Sequence, residues 1–194
     1  MSARRRLQRP ADDDYFVEPW SPIFLQGDLF RDVPFALPAP PDAVVIGEGE
    51  RRFVSGPFDA TLAMLISPSC VMAAQGRDVQ PGMYAHPART LVPIQPIENL
   101  VAAGAMTEAN IGNLRSDRLR SYFYVPAGPE WPESAALLYM PITMHHDVIA
   151  ETRVAQLTGT AYWHLRVKLM VFSGGFLLDP SELGPVPEPH EREN

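Results

Sequence analysis

Short apolar runs, each closed by proline or glycine, are the main pattern along the chain. Residues 61–67 are almost continuously apolar, lie between Gly56-Pro57 and Pro68, and are too few for a typical helix. They predict a strand buried on both faces, ended by a proline that donates no ladder hydrogen bond. Residues 135–140, closed by Pro141, predict a second buried strand.

Further strands follow from β-branched and aromatic clusters and from turn residues. Residues 23–35 have strand character, with Gly27-Asp28 supplying a turn or a bulge. Other strand predictions are 43–46 and 51–54 around a glycine-rich turn, 90–92, 122–125 and an exposed or half-buried strand at 148–157.

Helical spacing occurs in three places. Residues 98–105 are alanine-rich and predict a short helix, and Thr107 is a candidate N-cap for a second one. Residues 157–172 fit both strand alternation and a helical stripe, but their length favours a helix that stops at Gly174-Gly175.

The inventory predicts an α+β protein built on a small, strongly bent β-barrel, with a C-terminal helix. We expect one domain over residues 15–178, with a helical insertion at about 96–121. Residues 1–14 are a basic-then-acidic arm that we predict to be flexible, and 179–194 are a proline-rich acidic tail.

Composition narrows the function classes. Sixteen basic and twenty-three acidic residues give a net charge of −7 over 194 residues, so a global basic surface for nucleic acid is absent, although a local patch is possible. The single cysteine allows no intrachain disulfide and fits the cytoplasm. No signal peptide and no apolar run of about 18 residues is present, so we expect no membrane partner.

Three segments carry a family resemblance: Gln26-Gly27-Asp28-Leu29-Phe30, then 64–70 (Met-Leu-Ile-Ser-Pro-Ser-Cys), then 138–143 (Leu-Tyr-Met-Pro-Ile-Thr). Together they resemble the PemK/MazF-like group of SH3-type barrels. The similarity is greater to uncharacterised bacterial relatives with a Ser-x-x-Cys strand ending. The resemblance implies a compact SH3-like barrel, often dimeric, and in the toxin branch RNA cleavage in a groove beside it.

The chain departs from that family at two positions. The toxins carry an Arg-Pro at the start of the middle strand, where this chain has Asp59-Ala60-Thr61. The relatives with the Ser-x-x-Cys ending have an aspartate where this chain has Val71. Thr143 alone matches a toxin active-site position, so the resemblance bears on fold more than on activity.

Candidate catalytic residues for RNA cleavage follow from the chemistry of the 2′-hydroxyl. A base is needed, for which Asp28 or His145 is available, and Thr143 would contact the phosphate. A cation such as Arg51, Arg52 or Arg89 would stabilise the phosphorane.

Candidate binding residues are Cys70, His86, Arg89 and His146. Cys70 with His86 and either His145 or His146 has ligands suited to zinc, but the spacing matches no compact finger, so we predict no metal and no cofactor. Cys70 as a thiol nucleophile with a histidine base is a further alternative.

The composition and the missing arginine favour a non-enzymatic binding or assembly module of a bacterial or phage-like system. Its expected partner is a second copy or another protein. The alternative is a MazF-like, metal-independent endoribonuclease or an RNA-binding protein.

Overall fold

A computed structural model describes residues 10–36, 44–46, 53–55, 58–68 and 88–174. Its strands are β1 (Leu29–Ala36), β2 (Val44–Ile46), β3 (Phe53–Ser55), β4 (Phe58–Leu65), β5 (Ala88–Pro96), β6 (Tyr122–Val125), β7 (Ser134–Leu137), β8 (Ile142–His145) and β9 (Arg153–Ala155). Its helices are α1 (Ile97–Ala102), α2 (Glu108–Arg115), α3 (His146–Ile149) and α4 (Gly159–Gly174), preceded by a 3-10 turn at Asp12–Asp14. The predicted α+β class is confirmed.

Seven strands form one antiparallel sheet in the order β6-β7-β5-β4-β1-β9, with β8 also paired to β5, while β2 and β3 form a separate hairpin. Barrel closure would require the first and last strands of this path to pair. Strands β6 and β9 do not, so within the described residues the sheet is open and forms no closed barrel, and the SH3-like form of the strongly bent barrel predicted from the sequence is not confirmed. Helices and loops cover its apolar faces, which removes the need to close the sheet.

Side-chain alternation divides the core between the two faces of the sheet. Leu29, Met64 and Val92 join the cluster beneath α4, whereas their neighbours Phe30, Leu65 and Leu91 join the opposite cluster. All six are fully buried. The predicted strand buried on both faces at 61–67 is therefore confirmed in β4.

Strand β5 is longer than the predicted 90–92 because Pro93 is tolerated inside it. Thr90 directs its carbonyl to β4, accepting from the Ile66 N–H, so Pro93 directs its nitrogen to the other edge. On that edge β8 pairs through Leu91 and β7 begins only at Ile94. The missing N–H of Pro93 therefore falls in the gap between two strands and breaks no ladder.

The helical insertion and the C-terminal helix are confirmed by α1, α2 and α4. Thr107 is the N-cap of α2, although its side chain makes no capping hydrogen bond. The stripe that favoured a helix at 157–172 packs on the core through Tyr162, Leu165, Leu169 and Phe172.

Two local predictions are corrected. The turn at Gly27-Asp28 precedes β1, and the bulge lies at Arg31-Asp32, where Asp32 has a φ of 54°. The sequence predicts one strand over 148–157, but α3 ends at Ile149 and only Arg153–Ala155 is strand. The Ile149 carbonyl accepts both the backbone and the side-chain hydrogen bond of Thr152, which turns the chain there.

Candidate functional site

The ribbon formed by β5 and β8 carries three of the candidate residues, namely Arg89, Thr143 and His145. Its register places Thr143 opposite Thr90 and Met144 opposite Arg89. Thr143 and His145 are exposed, whereas the Arg89 side chain is fully buried. Neighbouring residues of a strand point to opposite faces. Arg89 therefore lies on the face away from Thr143, and the two do not share one groove.

His146 follows β8 and turns inward as the first residue of α3. Its imidazole lies 4.9 Å, centroid to centroid, from the buried Phe24 ring. Burial lowers the pKa of His146, and the nearby positive charge of Arg89 lowers it further. The structure therefore brings together two of the predicted binding residues, Arg89 and His146.

Asp28 lies at the turn before β1 and is fully buried. Its Oδ2 accepts from the Leu25 N–H at 2.9 Å and from Arg153 Nη1 at 3.1 Å. Arg153 also donates to the carbonyls of Ser21 and Ile23 and lies over the rings of Trp20 and Phe24. The carboxylate thus organises a buried turn and does not face a substrate.

Burial raises the pKa of Asp28 to about 6, against the lowering effects of the Leu25 N–H and of Arg153. A carboxyl in that range suits general base catalysis. With no exposed surface, however, its Oδ2 meets Arg153 and not solvent. Asp28 is therefore a structural acid in this arrangement, and the structure does not bring it together with Thr143 or His145.

The remaining candidates are not placed. Cys70, His86, Arg51 and Arg52 lie outside the described residues. Across the described ranges, no group of three side chains from histidine, cysteine, aspartate and glutamate could hold a metal ion.

Replacing Thr143 or His145 by alanine is expected to change the free energy of unfolding by less than about 1 kcal/mol, because both are exposed. His145 Nδ1 accepts from the Asp147 N–H at 3.3 Å, which caps only the four-residue α3. Urea unfolding of each variant measures this. A loss of 2 kcal/mol or more (roughly the size of a core defect) would contradict their placement on an open face.

A groove lies at the other end of the sheet, between α1 and α2. It has a volume of about 470 Å³ and an apolar floor supplied by Ile97, Val101, Ile111 and Pro132. The groove is also lined by three carboxylates, those of Glu98, Glu108 and Glu133. Arg115 is the one cation that the described part of the chain contributes to its lining. The inner faces of both helices pack on β6 and β7, which fixes the groove on the rigid sheet.

Glu133 joins the groove to a neighbouring cavity of about 370 Å³ that Asp12 and Tyr124 also line. Its Oε1 accepts a hydrogen bond from Arg115 Nε and its Oε2 accepts one from Arg115 Nη2, both at 2.6 Å. Oε1 also accepts a hydrogen bond from the Tyr124 hydroxyl at 2.6 Å. Such charge-assisted pairs are geometrically specific. They hold the last turn of α2 against the start of β7.

Sequence reasoning missed this groove. Glu98, Glu108 and Arg115 are spread over the predicted helical insertion, and Glu133 lies beyond the next strand. The available signal was the cluster of carboxylates flanking short helices with apolar faces. Carboxylates beside short helices are also common on solvated surfaces, so the sequence signal is not specific. Only the tertiary structure shows that α1 and α2 line one groove.

Replacing Tyr124 by phenylalanine is expected to lower the free energy of unfolding by about 1–2 kcal/mol, because the Glu133 carboxylate loses the partly buried hydrogen bond that the Tyr124 hydroxyl donates to it. Chemical unfolding at neutral pH measures it. Tyr162→Phe is the matched control and should change stability by less than about 0.5 kcal/mol. Equal effects in both variants would contradict the role assigned to this hydrogen bond.

No described helix is both long and apolar enough to cross a membrane. Comparison with known proteins finds no protein-family model that matches the chain and no curated protein that matches it.

Proposed function

We propose that this chain is a non-enzymatic binding module of a bacterial or phage-like assembly, and that the groove between α1 and α2 receives its protein partner. The observation that carries this is the groove itself: an apolar floor, an acidic rim and a rigid sheet beneath. Apolar pockets with polar rims are how proteins bind the side chains of partner segments. The rim of Glu98 and Glu108 favours a segment that combines an apolar anchor with arginine or lysine.

Peptide display against the full chain tests this function. The expected outcome is enrichment of peptides that carry basic and apolar residues and lose binding in the Ala102→Arg variant, which fills the groove. Ala109→Arg changes an exposed alanine of α2 that is outside the groove lining, so binding should persist. No enrichment, or equal binding by both variants, would overturn the proposal.

A PemK/MazF-like origin is part of the same proposal. The three resembling segments contribute to β1, β4 and β8 of one sheet. Strands β1 and β4 are paired, and β5 connects β4 to β8. This arrangement supports a toxin-like sheet that has been adapted for binding in the cytoplasm, as a homo-oligomer or with another protein.

Ribonuclease activity is the second candidate, favoured by the proximity of Arg89 to His146. Against it, Arg89 is fully buried and Asp28 is engaged by Arg153. Incubation with mixed RNA, with and without EDTA, is expected to give no cleavage. Cleavage that survives EDTA and disappears in His146→Ala or Thr143→Ala would establish the nuclease instead.

A further inference from the structure

We propose that the groove between α1 and α2 binds the arginine-rich segment of residues 1–9 of this same chain. The inference rests on the proposed function and names the occupant of its groove. The segment reads Met-Ser-Ala-Arg-Arg-Arg-Leu-Gln-Arg. It combines four arginines with one bulky aliphatic residue, Leu7, and this is the chemistry that the groove favours.

Charge complementarity is the first support. Glu98 and Glu108 are exposed at the groove, Glu133 stands between the groove and the neighbouring cavity, and Asp12 lines that cavity. Among the described residues that line either cavity, Arg115 is the one cation. The surface is therefore acidic on balance. Arginine suits such a surface because its guanidinium fork matches carboxylate geometry.

The path of the chain is the second support. Asp12 is held beside the neighbouring cavity, where its Oδ2 lies 3.5 Å from the Tyr124 hydroxyl. The Asp14 carbonyl accepts a hydrogen bond from Thr158 at 2.8 Å, which anchors this turn to the start of α4. Arg9 precedes Asp12 by only three residues in the sequence, and three extended residues span about 10 Å, so the chain length allows the segment to reach that cavity. Nine extended residues span roughly 30 Å, enough to follow the groove.

The apolar floor is the third support. Val101 and Ile111 are half-buried at the groove and offer aliphatic surface to Leu7. The same contacts form whether the segment occupies the groove of its own chain or that of a second copy. If two copies exchange this segment, so that each inserts it into the groove of the other, the groove becomes a self-assembly interface.

Photocrosslinking of the full chain carrying Leu7→p-benzoylphenylalanine tests the inference, with the crosslinked peptides mapped by mass spectrometry. Crosslinks are expected within 97–115 or at 132–133. Replacing both Glu98 and Glu108 by lysine should lower the crosslink yield by at least about fivefold, because the new lysines repel the arginines of the segment. Adding Arg4→Glu, Arg5→Glu and Arg6→Glu to that pair should restore the yield. Glu151→Lys, an exposed change outside the groove, is the matched control.

Crosslinks outside the groove would overturn the inference. A crosslink yield that stays the same when Glu98 and Glu108 are replaced by lysine would also overturn it. So would a gel shift in which the arginines bind an RNA or DNA oligonucleotide while no groove crosslink forms. Intrachain and interchain crosslinks to the groove both support it, and dilution separates them. Display peptides that bind the groove without any crosslink from position 7 would leave the proposed function standing and remove only this inference.

Discussion

Replacing Arg153 by methionine is expected to lower the free energy of unfolding by about 3 kcal/mol at pH 8. The Arg153 guanidinium forms an ion pair with Asp28. The Arg153 side chain is 13% exposed and the Asp28 side chain is fully buried. Removing one member of a buried ion pair costs about 3–5 kcal/mol because the other charge is left uncompensated. Arg153 also donates to the carbonyls of Ser21 and Ile23, so its loss loosens the segment before β1.

The pH dependence of this effect follows from the pKa of Asp28. That pKa is raised from 3.8 to about 6, so the native state holds the proton more tightly than the unfolded chain. The contribution of Asp28 to stability is therefore fully present below about pH 4 and is lost as pH rises through 6. Without Arg153 the pKa rises further, so the variant should recover part of its lost stability at pH 5.

Urea unfolding at pH 5 and pH 8 measures both effects, with Asp28→Asn as the second arm of a double-mutant cycle. In the Asp28→Asn background, Arg153→Met should cost less than in the natural chain. Arg31→Met is the matched control, because its pair with Glu130 is exposed and should contribute less than about 1 kcal/mol. A pH-independent loss of equal size in both backgrounds would contradict a charge-compensating role for Arg153.

Replacing Gly27 by alanine is expected to lower the free energy of unfolding by about 2–4 kcal/mol. Gly27 has a φ of +98°, and an added Cβ would lie 2.5 Å from Leu157 Cδ1 and 3.2 Å from Leu165 Cδ2. Both leucines belong to the core beneath α4. The substitution therefore combines backbone strain with the displacement of packed side chains.

Gly112→Ala is the matched control for that prediction. Gly112 lies inside α2 and is exposed, and no atom of the described residues lies within 4 Å of an added Cβ. Alanine at this helical position should raise stability by about 0.5–1 kcal/mol. Thermal or urea unfolding of both variants measures the contrast. A Gly27→Ala variant as stable as the natural chain would show that the turn before β1 can rearrange.

The candidate site was only partly predictable, because residue chemistry does not reveal accessibility. Thr143 and His145 follow a buried run, and both are exposed, but exposure alone does not make them a site. Asp28 and Arg89 have the chemistry of catalytic groups but are fully buried. Glu133 belongs to no sequence motif, yet its carboxylate, just before β7, accepts hydrogen bonds from Arg115 of α2 and from the Tyr124 hydroxyl of β6.

Local physics along the chain determined the strands and helices of this protein. Apolar runs closed by proline made β4 a strand buried on both faces, and the spacing of Leu165 and Leu169 made residues 159–174 a helix. Tertiary structure decided the rest, because strand pairing and helix packing depend on residues far apart in sequence. It left the sheet open, buried Arg89 away from Thr143, and set Glu98 and Glu108 around one groove.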